Sequence, residues 1–185
     1  MHTTLEREIK LRFDSAAIAR EAIVRIGAPP VRGRRLQEDC LLDTADELLR
    51  RRRSVLRIRM DQGRALLTYK GPVQPSRMKL REERETVAAD GETLLYLFEQ
   101  LGFTVWFRYQ KYREEFGAAD AIIALDETPI GTFVEIEGSE QAIIDLATAL
   151  GRSPDDYLID SYRGLWVQHC ERQGIRGRDM VFDEP

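Results

Sequence analysis

The chain has 185 residues, 43% of them hydrophobic and 32% charged. That is long enough to bury a core without disulfides or a structural metal, and richer in charge than the roughly 25% of an average domain. Its 28 basic and 32 acidic residues leave a net charge of -4, which argues against a nucleic-acid binder held by a general basic surface, so any anion site must be local. Cys40 and Cys170 lie far apart in no metal-ligand spacing and read as free thiols of a reducing compartment. No apolar run reaches 18 residues and "MHTTLEREIK" is charged from its sixth residue on, so a cytoplasmic protein without a membrane partner is expected.

The first element is "EREIKLRF", residues 6–13, where Glu6, Glu8, Lys10 and Arg12 alternate with Ile9, Leu11 and Phe13; period two predicts a strand. "DSAAIAREAIVRIGAPP" offers an N-cap at Asp14 or Ser15, apolar residues at helical spacing and a Gly27 stop, predicting a helix over about 15–26. A strand near 35–43 follows, and "ADELLRRRR" has room for a short helix or turn. "SVLRIRM" and "RALLTYK" flank the turn "DQG" and read as a hairpin. "SRMKLREERETV" alternates again, and "DGETLLYLFEQLGF" is a helix capped by Asp90 and stopped at Gly102. Three more strands, "TVWFRYQKYREEF", "AIIALDE" and "TFVEIEG", are joined by short turns. "SEQAIIDLATALG" and "SYRGLWVQHCERQG" close the chain as helices, the second ending at Gly174.

Eight mostly antiparallel strands with helices inserted early, midway and at the end predict an α+β fold, an eight-stranded antiparallel barrel with flanking helices. A single domain is expected over residues 1–185, with the barrel at about 4–138, C-terminal helices at about 139–174 and a tail at 175–185. In strand after strand one face is ionic: Glu6, Glu8, Lys10; Arg57, Arg59; Lys70; Lys79, Arg81, Glu83, Glu85; Lys111, Arg113; Glu135, Glu137. The opposite face carries Ile9, Leu11, Leu56, Ile58, Leu67, Leu80, Val134 and Ile136. Alternation leaves two arrangements open. Either the apolar faces fill an ordinary barrel and the charges are solvated cross-strand pairs worth under about 1 kcal/mol each, or the barrel is inverted, with a charged interior and helices packed outside.

The inverted arrangement has a chemical reading. Lys10, Arg12, Arg57, Arg59, Lys70, Arg81, Lys111 and Arg113 would suit phosphate oxygens, arginine as a fork and lysine as a point charge. The carboxylates Glu6, Glu8, Glu83, Glu85, Asp126, Glu135 and Glu137 would suit a hard divalent ion such as Mg²⁺ or Mn²⁺. Both signs together fit a metal polyphosphate. The two histidines, His2 and His169, sit at the N-terminus and on the last helix, so neither a Ser-His-Asp triad nor a histidine metal cluster is available, and no Walker-type phosphate loop or dinucleotide fingerprint occurs.

On these motifs the chain resembles the CYTH superfamily, the triphosphate tunnel metalloenzymes, which includes class IV adenylyl cyclases, thiamine triphosphatases and inorganic triphosphatases. Glu6, Glu8 and Lys10 match its Glu-x-Glu-x-Lys signature; "DCLLDT", "LRIR", "LTYKGP", "REERE", "KYR" at Lys111 to Arg113, "LDE", "GTFVEIEG" and "SYRGL" follow in family order, covering about residues 5–168. The resemblance implies a charged tunnel, with Glu6, Glu8, Asp126, Glu135 and Glu137 holding one or two metals. It implies that Lys10, Arg57, Arg59, Lys70, Arg81, Lys111 and Arg113 grip the triphosphate, and that Glu83, Glu85 and Tyr162 line the tunnel. Leu41 and Leu42 stand where the family commonly has Tyr and Phe.

The activity this implies is metal-dependent hydrolysis of a triphosphate-bearing small molecule, inorganic triphosphate, thiamine triphosphate or a nucleoside triphosphate. Lys10, Arg57 and Arg59 would stabilise developing charge, and Lys70, or Lys111 in its place, would steer the water. The alternative is cyclisation of ATP with loss of pyrophosphate. It is weakened by "MHTTL" standing where class IV cyclases often show a His-Phe pair. A non-catalytic polyphosphate or nucleotide binder is less favoured because the carboxylates for metal are all present. Monomer and homodimer both stay open.

Overall fold

The alternating segments close on themselves in the computed structural model, which describes residues 4–118 and 120–183. Strands β1 (Thr4–Phe13), β2 (Pro30–Thr44), β3 (Val55–Asp61), β4 (Arg64–Lys70), β5 (Lys79–Ala88), β6 (Phe103–Ala118), β7 (Ala121–Thr128) and β8 (Gly131–Gly138) form a closed barrel in the order β1-β5-β4-β3-β2-β6-β7-β8. Every neighbouring pair is antiparallel, including β8 with β1, so among the described residues no strand of the barrel is left with an open edge. Helices α1 (Ala16–Arg25), α2 (Leu48–Arg51), α3 (Gly91–Gln100), α4 (Glu140–Ala149) and α5 (Tyr162–Gln173) flank it. Among the described residues, no helix is long and apolar enough to cross a membrane.

Local chemistry sets the helix and turn positions. Ser15, Asp90, Ser139 and Ser161 each accept a backbone N–H at the start of a helix, satisfying donors that would otherwise lack a partner. The β3-β4 hairpin turns on Gln62 and Gly63, both with positive φ (51° and 76°), the type I′ geometry that matches strand twist. One boundary differs from the sequence reading: β2 begins at Pro30, well before residue 35. Its first third pairs with β6 through register shifts around Arg32 and Arg35, and "PVRGRR" carries no apolar alternation to announce a strand.

The barrel is inverted. Ile9 and Leu11 of β1, Ile123 and Leu125 of β7, and Val134 and Ile136 of β8 point outward and are buried against Ala19 and Ile23 of α1 and Ile143 and Ala147 of α4. A second outer cluster joins Cys40, Leu42 and Ile58 to Leu94, Leu95 and Phe98 of α3. Each fully buried Ile, Leu or Val contributes on the order of 1.5–3 kcal/mol, so the folding drive comes mainly from outside the barrel wall. Inward-facing Leu41, Phe107, Tyr109 and Phe133 pack with Tyr162, Leu165 and Trp166, which lays α5 across one end of the interior. His169 stacks on Trp166, and His2 lies outside the described residues. Cys40 and Cys170 are free thiols, Cys40 buried.

Candidate active site

Inside the barrel is a cavity of about 830 Å³. Period two and the strand register bring its charged lining together: Glu8 sits opposite Lys79 on one side and Glu137 on the other, Lys10 opposite Glu135, Glu6 opposite Arg81, and Lys70 opposite Glu83. Among the described residues, eleven cations and seven carboxylates line the cavity. A chain of net charge -4 therefore encloses a pocket with a cation excess, the mark of a site for a polyanion.

The carboxylates are held by shared ammonium groups. Lys70 Nζ donates to Glu6 Oε1 at 2.7 Å and lies 2.8 Å from Glu83 Oε2, while Glu8 Oε1 accepts from Lys10 at 3.0 Å and from Lys79 at 2.5 Å. Lys10 also lies 3.2 Å from Glu135, which pairs in turn with Arg113. Burial and then the neighbouring Glu8 push the Glu6 carboxyl up to about 8. Burial works the same way on Glu8, but Lys10 and Lys79 outweigh it and hold that carboxyl well below the usual range. Glu137 is pushed up by burial, Glu8 and Glu83. Burial pulls Lys111 down to about 8, assisted by Arg113 and opposed by Asp126.

Of the residues expected from sequence, Glu6, Glu8, Lys10, Arg57, Arg59, Lys70, Arg81, Glu83, Glu85, Lys111, Arg113, Glu135, Glu137 and Tyr162 all line the cavity. Two expected residues do not. Arg12 lies two residues beyond Lys10, exposed, with its guanidinium 4.7 Å from the Phe133 ring centroid and Nη1 donating to the Ile130 carbonyl. Asp126, expected as a metal ligand, is fully buried behind the lining and saturated: it accepts from Lys111 at 2.8 Å, from Arg113 at 2.7 and 2.6 Å, and from the Tyr162 hydroxyl at 2.7 Å. Tyr162 lines the cavity as expected and is tied to the barrel by this bond. It pins α5, and its ring lies 5.4 and 5.0 Å from the ammonium groups of Lys10 and Lys111.

Other residues join the site without having been assigned to it. Lys79 lies on the ionic face of β5 and completes the cradle of Glu8. Tyr109 lines the cavity beside Phe107. At the rim stand Arg50, Arg53, Arg163 and Trp106, with the Trp106 ring flanked by Arg50 at 4.6 Å and Arg163 at 5.9 Å. Arg50 and Arg53 come from α2 and the turn after it and Arg163 from the start of α5, where no alternation marks a direction, and Trp106 sits on β6 where the register with β2 shifts. Leu41, in place of the family's aromatic residue, lines the cavity, while Leu42 faces the outer cluster under α3.

The donor set fits a hard divalent ion in its chemistry. Glu6, Glu8, Glu135 and Glu137 offer only carboxylate oxygens, and crowded carboxylates such as Glu6 and Glu137 gain from a further cation. As they stand, no three His, Cys, Asp or Glu side chains among the described residues converge tightly enough to hold one. An ion would compete with Lys10, Lys70 and Lys79 for these oxygens.

Comparison with known proteins agrees with the geometry. The model of the CYTH domain matches residues 4–152. A Methanocaldococcus jannaschii protein named "putative adenylate cyclase" is 30% identical over 175 residues, covering 87% of this chain and 99% of its own. A Vibrio parahaemolyticus structure described by the same words matches with a TM-score of 0.76 at 21% identity, covering 90% of this chain and 99% of that one. A Hippeastrum structure, a "putative adenylyl cyclase" described as having a dominant triphosphatase activity, matches with a TM-score of 0.62 at 16% identity, covering 94% and 97%. At such identities the two structures speak for the fold.

Proposed function

Because the chain belongs to the CYTH domain family, we propose that it is a divalent-metal-dependent hydrolase acting on a small molecule that carries a triphosphate. The observation that carries this reading is the cation excess of the cavity, interleaved with a wall of carboxylates. Arg57, Arg59, Arg81, Lys111 and Arg113 bind the phosphate oxygens and take up charge as the bridging oxygen departs. Glu6, Glu8, Glu135 and Glu137 would hold Mg²⁺ or Mn²⁺, which when bound polarises the phosphoryl group. Lys70 is shared among carboxylates that raise its pKa, so it stays an ammonium and orients water or phosphate by donation without accepting a proton. Water then attacks the terminal phosphorus, the bond to the bridging oxygen breaks, and orthophosphate and the shortened chain leave.

A second reading, cyclisation of ATP, is favoured by the rim, where Leu5, Val55, Val73, Trp106 and Ile159 give an organic group apolar surface to lie on. One panel separates the two. Purified protein with Mg²⁺ or Mn²⁺ is offered inorganic triphosphate, thiamine triphosphate and ATP, and orthophosphate, pyrophosphate and cyclic AMP are measured. Orthophosphate release supports the hydrolase; cyclic AMP and pyrophosphate in equal amounts from ATP would overturn it.

A further inference from the structure

Asp39 is a fully buried carboxylate beside the cavity that the proposed chemistry does not use. It sits on the inward face of β2, opposite Arg59 of β3 on one side and Tyr109 of β6 on the other, and its side chain is 0% exposed. Its Oδ1 accepts from Arg59 Nε at 2.8 Å and lies 3.5 Å from Arg57 Nε, while Oδ2 is buried with no hydrogen-bond partner among the described residues. A carboxylate that merely cemented the barrel would engage an arginine fork through two nitrogens and satisfy both its oxygens. Asp39 instead takes only the Nε of Arg59. Among the described residues, no group accepts a hydrogen bond from the Nη pair of Arg59, and Arg59 lines the cavity.

We infer that Asp39 is a positioning residue: by gripping Arg59 at Nε, and Arg57 more loosely, it aims the free Nη fork of Arg59 at the phosphate chain. Without that grip the guanidinium keeps its charge and its attraction for phosphate but loses its fixed direction. Removing a carboxylate from beside the pocket also lessens repulsion of the anion. The two effects fall on different steps. Ground-state binding of triphosphate is kept or strengthened, whereas stabilisation of the transition state, which depends on direction, is lost.

The inference rests on the triphosphate reading, and the test separates the two. In Asp39→Asn, KM for inorganic triphosphate is expected to stay level or fall while kcat falls at least about tenfold. Arg59→Lys keeps the charge and removes the Nε edge, so it should show a similar kcat loss, and the double variant should lose no more than either single one. Unchanged kcat in Asp39→Asn, or additive losses in the double variant, would overturn the inference alone; a wild-type protein that turns over no triphosphate overturns the functional reading. NMR of the arginine Nε–H signals decides the grip without turnover or ligand. One signal protected from exchange in the wild type should be lost in both Asp39→Ala, which has no acceptor there, and Arg59→Lys, and its survival in Asp39→Ala contradicts the assignment. Should Asp39→Asn fail to fold, Asp39→Glu, which keeps the charge but moves the oxygens, is expected to show the same split between kcat and KM; normal kcat in that variant would overturn the assignment.

Discussion

The barrel contains two buried ionic clusters of opposite design. In one, Arg35 Nε donates to both oxygens of Asp61 at 3.0 Å and Nη2 to Glu115 at 2.8 Å, Gln37 Nε2 donates to Asp61 at 2.8 Å, and Arg32 lies 3.3 Å away. Two arginines face two carboxylates, the Arg35 and Asp61 side chains are only 2% and 3% exposed, and none of these residues lines the cavity. In the other, lysines are shared among crowded carboxylates, cations are in excess, and the charges surround a void. Gln37, Asp61 and Glu115 have the same parity as the cavity lining of their strands, so parity does not separate the clusters. What separates a structural cluster from a binding site is charge balance and empty space, neither of which a periodicity records.

Substitutions should therefore have opposite consequences in the two clusters. The largest expected effect is on turnover: Glu8→Gln should lower kcat for triphosphate at least about a hundredfold, since the residue holds Lys10 and Lys79 and would hold the metal, a loss of activity per folded molecule far larger than the loss of stability. Steady-state kinetics beside a thermal melt checks both halves. In the closed cluster, Asp61→Asn leaves the buried Arg35 to share Glu115 with Arg32 and should cost up to about 3–5 kcal/mol in denaturant unfolding, with activity per folded molecule retained.

The pH dependence of that cost has a definite sign. Burial raises the Asp61 pKa, but Gln37, Arg35 and Arg32 outweigh it, so the folded value lies below 3.8. The contribution of Asp61 is then fully present above that pH and is lost as pH falls through the folded value. Wild type and Asp61→Asn should converge in stability only in acid, which denaturation series at pH 7 and below pH 3.8 would show. Smaller effects follow. Tyr162→Phe removes one of four donors to Asp126 and should cost about 1–3 kcal/mol. Arg12→Ala, outside the cavity, should leave KM for triphosphate within about twofold, unlike Arg59→Ala, because its charge sits on Phe133 and is open to solvent screening.

Strand count, parity and the choice of side chains that share the cavity were legible because a closed barrel sends every second residue inward. Depth along the strand was not legible. Arg12 and Asp126 have the inward parity of Lys10 and Glu135, yet one lies beyond the cavity and the other behind its wall. Asp39 stood within a family segment but acquires meaning only through the cross-strand register that sets it against Arg59. The early start of β2 and the Arg35 cluster were hidden for a related reason: the pairing there is irregular and the residues are charged on both faces.

The central claim is that the cavity, and not the closed cluster, performs phosphoryl chemistry. Phosphorus NMR of inorganic triphosphate turnover at neutral pH, with wild type, Glu8→Gln and Asp61→Asn in parallel and Mg²⁺ or Mn²⁺ present, tests it most directly. The account predicts orthophosphate and pyrophosphate from wild type and folded Asp61→Asn at comparable rates, and intact triphosphate with Glu8→Gln. Normal turnover by Glu8→Gln, or a fully folded Asp61→Asn without activity, would contradict it.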